Sequence, residues 1–169
     1  MRLDKSRLLE FLQALDAEVS REITVVAVGG TAMTLLGLKP STIDIDFTVP
    51  DEDFEEFRKA NARLQHGFKI DLYRGGVVFT QILPEDYVEK SVKIGNKLKR
   101  IRLRALHPVD IVVTKIGRLD DRDLEDIRMC IRKCGISKSQ LEERAGQVQY
   151  AGRDENYENN LQHVLKKFF

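Results

Sequence analysis

Asp44-Ile45-Asp46 sets two carboxylates two residues apart in an otherwise apolar and β-branched stretch, Ile43 to Val49. Alternate residues of a strand point to the same face, so a strand here aims both acids together. Two acids buried side by side repel and resist desolvation. A hard divalent cation, Mg²⁺ or Mn²⁺, relieves both problems through oxygen ligands that it shares with substrate phosphates. Asp71, between Ile70 and Leu72 in the next apolar stretch, is the candidate third ligand. Aspartate is disfavoured in mid-strand, so three of them in neighbouring strands point to one common cause.

A second feature lies upstream. Val28-Gly29-Gly30-Thr31 ends one apolar strand and opens a short helix. Glycines let a ligand approach the backbone, and a helix N-terminus directs free N–H groups at anions. Thr31 is expected to cap that helix and add a hydroxyl donor. A phosphate-binding turn beside a divalent metal site is the equipment of nucleotidyl transfer. Further on, Lys115 stands among Ile111, Val112, Val113 and Ile116. Its ammonium needs a partner, either a triphosphate or Asp110 or Asp123, unless it snorkels to solvent.

These residues require particular elements to hold them. Leu8, Leu9, Phe11, Leu12, Leu15 and Val19 recur at helical spacing. Strands are expected at 23–28, 43–49 and 68–73, with a fourth at 77–80 after Gly75-Gly76. Asp51 is the expected N-cap of a helix that turns Phe54, Phe57, Ala60 and Leu64 inward. Segments 87–94 and 98–106 read as a hairpin closed by Gly95-Asn96. From Pro108 onward the pattern is helical: 109–118, then 121–134 ended by Gly135, then a helix with a Ser139/Glu142 capping box, then a last one carrying Leu161, Val164 and Leu165. The expected architecture is α/β (α+β): a mixed sheet flanked by helices over residues 1–106, with a helical segment, 107–169, packed on it.

The rest of the chain narrows the field. One-third of the 169 residues are charged, yet the formal net charge is only +1, so any nucleic-acid surface must be local. The candidate is Arg100, Arg102 and Arg104 alternating with apolar residues, near Lys97 and Lys99; a charged outer face against strand-edge aggregation is the competing explanation. Cys130 and Cys134 lie four apart in a helix and lack metal-site spacing. There is no apolar run long enough to span a bilayer and no apolar leader, so a cytoplasmic protein with no membrane partner is expected.

The order Val28-Gly29-Gly30, Asp44-Ile45-Asp46 and Ile70-Asp71-Leu72 resembles the signature of the polymerase-β-like nucleotidyltransferase superfamily. Most members carry serine after the first glycine; Gly30 is a departure shared with a subgroup of small prokaryotic enzymes. The stretch Asp110 to Ile116, Arg118 and Arg122 to Ile127 is similar to the segment that follows the core in abortive-infection-type toxin nucleotidyltransferases. The resemblance implies a metal-dependent enzyme in which Asp44, Asp46 and Asp71 are catalytic and metal-binding. Gly29, Gly30, Thr31, Lys115 and Asp123 would bind the nucleotide, with Arg118 and Asp126 beside them. It further implies a nucleoside triphosphate such as ATP as donor, an RNA (tRNA) or protein hydroxyl as acceptor, and a cognate partner in a toxin–antitoxin system. The alternative is a non-catalytic, antitoxin-like binding module that keeps the fold.

Overall fold

The computed structural model describes residues 1–150 and 154–169. Its centre is a five-stranded mixed sheet in the order β3-β2-β1-β7-β6, formed by β1 (Ile23–Ala27), β2 (Ile45–Val49), β3 (Ile70–Arg74), β6 (Val92–Lys93) and β7 (Ile101–Ala105). Strand β1 runs antiparallel to β2 and parallel to β7, while β2 runs parallel to β3. The apolar run of β1 follows from this central place, with neighbours on both sides and four of its five residues buried.

Helices α1 (Lys5–Glu18), α2 (Gly29–Leu35) and α3 (Asp51–Ala62) flank the sheet, α2 lying against β1, β2 and β7, and α3 against β1 and β2. Asp16 of α1 accepts the backbone N–H groups of Lys99, Arg100 and Ile101, fastening the helix to the entry of β7. α5 (Pro108–Ile116) follows β7 at once and is buried from Val109 to Ile116. α6 (Asp121–Cys134), α7 (Lys138–Ala145) and α8 (Asp154–Phe168) pack around it, and one apolar core runs from Leu3 to Leu165. The guanidinium of Arg144 holds α7 to α5 through both oxygens of the buried Asp110, 2.5 and 2.9 Å away. Among the described residues no helix is long and apolar enough to cross a membrane.

Several local expectations are revised. Strand β2 begins at Ile45, not Ile43, because its pairing with β3 starts at Ile45↔Ile70; Asp44 sits in the bend ahead of the strand. Residues 77–80 do not form a fourth strand of the main sheet. Instead β4 (Val77–Val78) and β5 (Gln81–Ile82) make a tight hairpin, and β8 (Gln149–Tyr150) adds to it, so the late segment is not wholly helical. Tyr87–Lys90 is a single helical turn, α4, and only Val92–Lys93 pairs with β7. The N-cap of α3 is Pro50; Asp51 is already helical. The cap of α7 is Ser137 with Gln140, not Ser139 with Glu142, because Gly135 ends α6 in a left-handed turn and leaves room for only Ile136 before the next cap.

The arginine stripe of β7 is taken up by structure. Arg100 donates to the Val19 carbonyl at 2.6 Å and Arg104 to the Ser91 hydroxyl and carbonyl at 2.5 and 2.8 Å. Arg102 stands outward, 3.6 Å from Glu22, and Arg100, though tied to Val19, is exposed as well.

Candidate active site

The carboxylates meet at one cleft, about 270 Å³ in volume, between the β2–β3 edge of the sheet and the α5–α6 corner. Asp46 and Asp71 are register partners in the parallel β2–β3 pair, which puts their side chains abreast on one face. Asp44 reaches the same cleft from the bend before β2. Asp46 is 8% exposed, and among the described residues no lysine or arginine comes within ion-pair distance of it. Burial, then the negative charges of Asp71 and Asp44 and a hydrogen bond with Asp71, push its acid up to about 7; Lys115 offsets this only in part. Tyr73, half-buried beside the same acids, is pushed up to about 12 by burial and by Asp46 and Asp71.

The two glycines of the turn serve different ends. Gly29 has φ +53°, the left-handed region, and a Cβ there would stand 3.3 Å from Asp46 Oδ2. Gly30 does not share that conformation; a Cβ on it would meet the Thr42 hydroxyl at 2.8 Å. Helix α2 opens at Gly29, so the amides of Gly29, Gly30 and Thr31 lie in its first turn, where no intrahelical acceptor exists. Thr31 does not cap this helix, whose N-cap is Val28. Its buried hydroxyl instead accepts from Asp46 N–H at 2.9 Å and donates to the Asp44 carbonyl at 3.1 Å.

The opposite wall carries the second group of expected residues. Lys115, 3% exposed, is held by Asp123 at 3.2 Å and by Asp126 at 3.0 Å, while Asp110 goes to Arg144. Asp123 is fully buried and binds Arg118 through both oxygens at 2.7 Å. Burial raises the Asp123 acid, but Arg118 and Lys115 outweigh it and hold the carboxyl below its ordinary value. Asp123 also closes a capping box with Asp120 at the start of α6. Asp123 therefore aims Arg118 and Lys115 and keeps no oxygen free for a ligand.

Other cleft residues had no signal in the sequence pattern. Phe79, at the tip of the β4–β5 hairpin, has φ 55°, an unusual conformation for a bulky side chain. Its ring carries the Arg118 guanidinium at 4.6 Å, meets Tyr73 edge-on, and would lie 3.6 Å from a Cβ on Gly29. Arg2, Lys39 and Arg122 rim the opening. A separate recess of about 330 Å³ at the start of α5, lined by His107, Asp110 and Arg144, has its buried ion pair fully satisfied.

A mixed sheet that brings a glycine turn, an Asp-x-Asp and a third strand-borne aspartate to one cleft defines a protein of the nucleotidyltransferase class. More narrowly, the chain belongs to the family described as nucleotidyltransferase of unknown function (DUF6036), whose model matches residues 6–168. No curated protein matches it. Its fold is shared with ANT(2")-Ia, solved in complex with adenylyl-2"-tobramycin, at a TM-score of 0.54 and 14% identity over 96% of this chain and 99% of that one. It is shared as well with an antigenic nucleotidyltransferase-like protein from Paracoccidioides brasiliensis, at a TM-score of 0.53 and 14% identity over 99% of this chain and 91% of the other.

Proposed function

We propose that this chain transfers a nucleoside monophosphate from a nucleoside triphosphate to an acceptor hydroxyl, with Mg²⁺ or Mn²⁺ as cofactor. The observation that carries the reading is Asp46: a desolvated acid with Asp71 and Asp44 turned to the same cleft and, among the described residues, no cation within ion-pair distance. The chemistry of these oxygen donors suits a hard divalent cation, which Asp44, Asp46 and Asp71 would hold on being drawn together around it. When bound, such an ion supplies charge neutralisation at the triphosphate and at the attacking oxygen.

The chain's own residues do the rest. The first-turn amides of α2 and the exposed guanidinium of Arg118 hold the phosphates. Asp123, itself held by Lys115, keeps that guanidinium in place, and Phe79 shields the turn from water. Asp71 orients the acceptor hydroxyl and takes its proton as the oxygen bonds to the α-phosphorus and the bond to pyrophosphate breaks. From the resemblance to abortive-infection-type enzymes we further propose an RNA hydroxyl as acceptor and a role in a toxin–antitoxin pair.

The test is incubation with each labelled nucleoside triphosphate, Mg²⁺ or Mn²⁺, and total RNA or lysate. Label in RNA is expected; label in protein would move the acceptor to a side-chain hydroxyl. The rival, a binding module without turnover, draws on one observation. Among the described residues no three carboxylate, imidazole or thiolate groups are already gathered as an ion cage. Nucleotide binding without label transfer would select it, and absence of nucleotide binding would sink both.

A further inference from the structure

Asp44 is the site acid that the sheet does not hold. Strand pairing starts at Ile45, and Asp44 is exposed in the preceding bend. Its main chain is held at its own carbonyl, which accepts two hydroxyls: Thr31 Oγ1 at 3.1 Å and Thr42 Oγ1 at 3.0 Å. Thr31 comes from the turn already described. Thr42 is buried, and a two-way backbone bridge to Leu3 fixes it, Leu3 N–H to Thr42 carbonyl at 2.7 Å and Thr42 N–H to Leu3 carbonyl at 2.9 Å. Leu3 is itself 1% exposed, so the bridge is anchored in the core. The Thr42 hydroxyl can make its bond only because position 30 has no side chain. A Cβ there would come within 2.8 Å of Thr42 Oγ1 and 3.6 Å of its Cβ. Gly30 lacks the left-handed φ that makes Gly29 a backbone necessity, so space alone accounts for it.

We infer that Thr42 is the positioning residue that aims Asp44 into the cleft, and that Gly30 is glycine to admit the Thr42 hydroxyl. The inference rests on Asp44 being a site residue, as proposed above. A side chain at 30 and a hydroxyl-bearing side chain at 42 exclude each other. Thr42 does not touch the reacting atoms; it acts through the Asp44 backbone.

Five variants test this: Thr42→Val, Thr42→Ser, Thr42→Ala, Gly30→Ser and the double variant Gly30→Ser/Thr42→Ala. Thr42→Val keeps the shape and loses the hydroxyl. Amide hydrogen exchange across residues 43–46 should then quicken about tenfold, the counterpart of one lost hydrogen bond. Its kcat should fall about tenfold with the KM for triphosphate little changed, as for other groups that orient a ligand from behind. Thr42→Ser should restore both. Gly30→Ser should lower the melting temperature and the rate, and Thr42→Ala in the same chain should recover part of each. Additive melts in the Gly30/Thr42 cycle would overturn the exclusion. Unchanged exchange and unchanged kcat in Thr42→Val would overturn the positioning role. If the unaltered protein transfers nothing, the nucleotidyl-transfer reading fails, while exchange and melting still decide this one.

Discussion

The two walls of the cleft solve opposite electrostatic problems. On the α5–α6 wall every buried charge has a counterpart: Lys115 between Asp123 and Asp126, Asp123 on Arg118, and Lys39 on Asp126 at 3.0 Å. On the β2–β3 wall three acids face the cleft, and among the described residues the one cation within ion-pair distance of them is Lys69, 3.7 Å from Asp71 and itself largely exposed. The saturated wall is a rigid backing. The unsaturated wall keeps its acids together against their mutual repulsion, a cost that a divalent ligand would remove.

The sharpest way to break this contrast is to remove acids from the second wall. Asp44→Ala with Asp46→Ala should cut label transfer by about 10³-fold or more, the scale of several kcal/mol of lost charge stabilisation. The same variant should melt no lower than the parent protein. Retention of full transfer would refute the proposed chemistry.

On the first wall the effect should invert. Lys115→Met removes the buried cation that Asp123 and Asp126 share, leaving them only Arg118 and Lys39, and should destabilise the fold by about 1.5–3 kcal/mol in urea melts. An unchanged midpoint would mean that this wall is not saturated after all.

A pH series sharpens the contrast further. The Asp46 acid at about 7 stands above its ordinary value, so stability tied to its protonation is complete below about pH 4 and is lost as pH rises through about 7. Asp46→Asn should therefore stabilise the protein at pH 8 by something on the order of a few kcal/mol, and the gain should shrink towards pH 4. Mn²⁺ should raise the melting temperature of the parent protein at pH 8 and do less for Asp46→Asn. The smallest effect belongs to Arg102→Ala, which removes an exposed ion pair with Glu22 and should leave melting and RNA affinity unchanged within error. A clear loss of RNA binding there would reinstate β7 as a nucleic-acid face.

Much of this was legible in the residues themselves. The apolar runs located β1, β2, β3 and β7, and the Gly-Gly break with Asp44, Asp46 and Asp71 located one wall of the cleft. Lys115 announced itself as a lysine among β-branched residues, with Asp123 among its candidate partners. The remainder depends on contacts that local pattern does not encode. Strands β4, β5 and β8 have two residues each, too short for any periodicity. The place of Asp44 outside the ladder follows from where β3 begins to pair, and the role of Thr42 from a bridge to a residue thirty-nine positions earlier. Ser137 and Ser139 both head a plausible capping box, and only the exit geometry of α6 chooses between them.

The sheet order also carries a consequence for how the protein is made. β1 sits at the centre, yet its parallel neighbour β7 is encoded more than seventy residues later, and the hairpin that carries Phe79 is completed by Gln149–Tyr150. On a ribosome releasing the chain from its N-terminus, the three acids and the glycine turn emerge long before the strand and helices that back them. Such distant pairing folds slowly. The nascent protein therefore passes through a period in which the acids of one wall are present before β7, α5 and α6 are available to form the other.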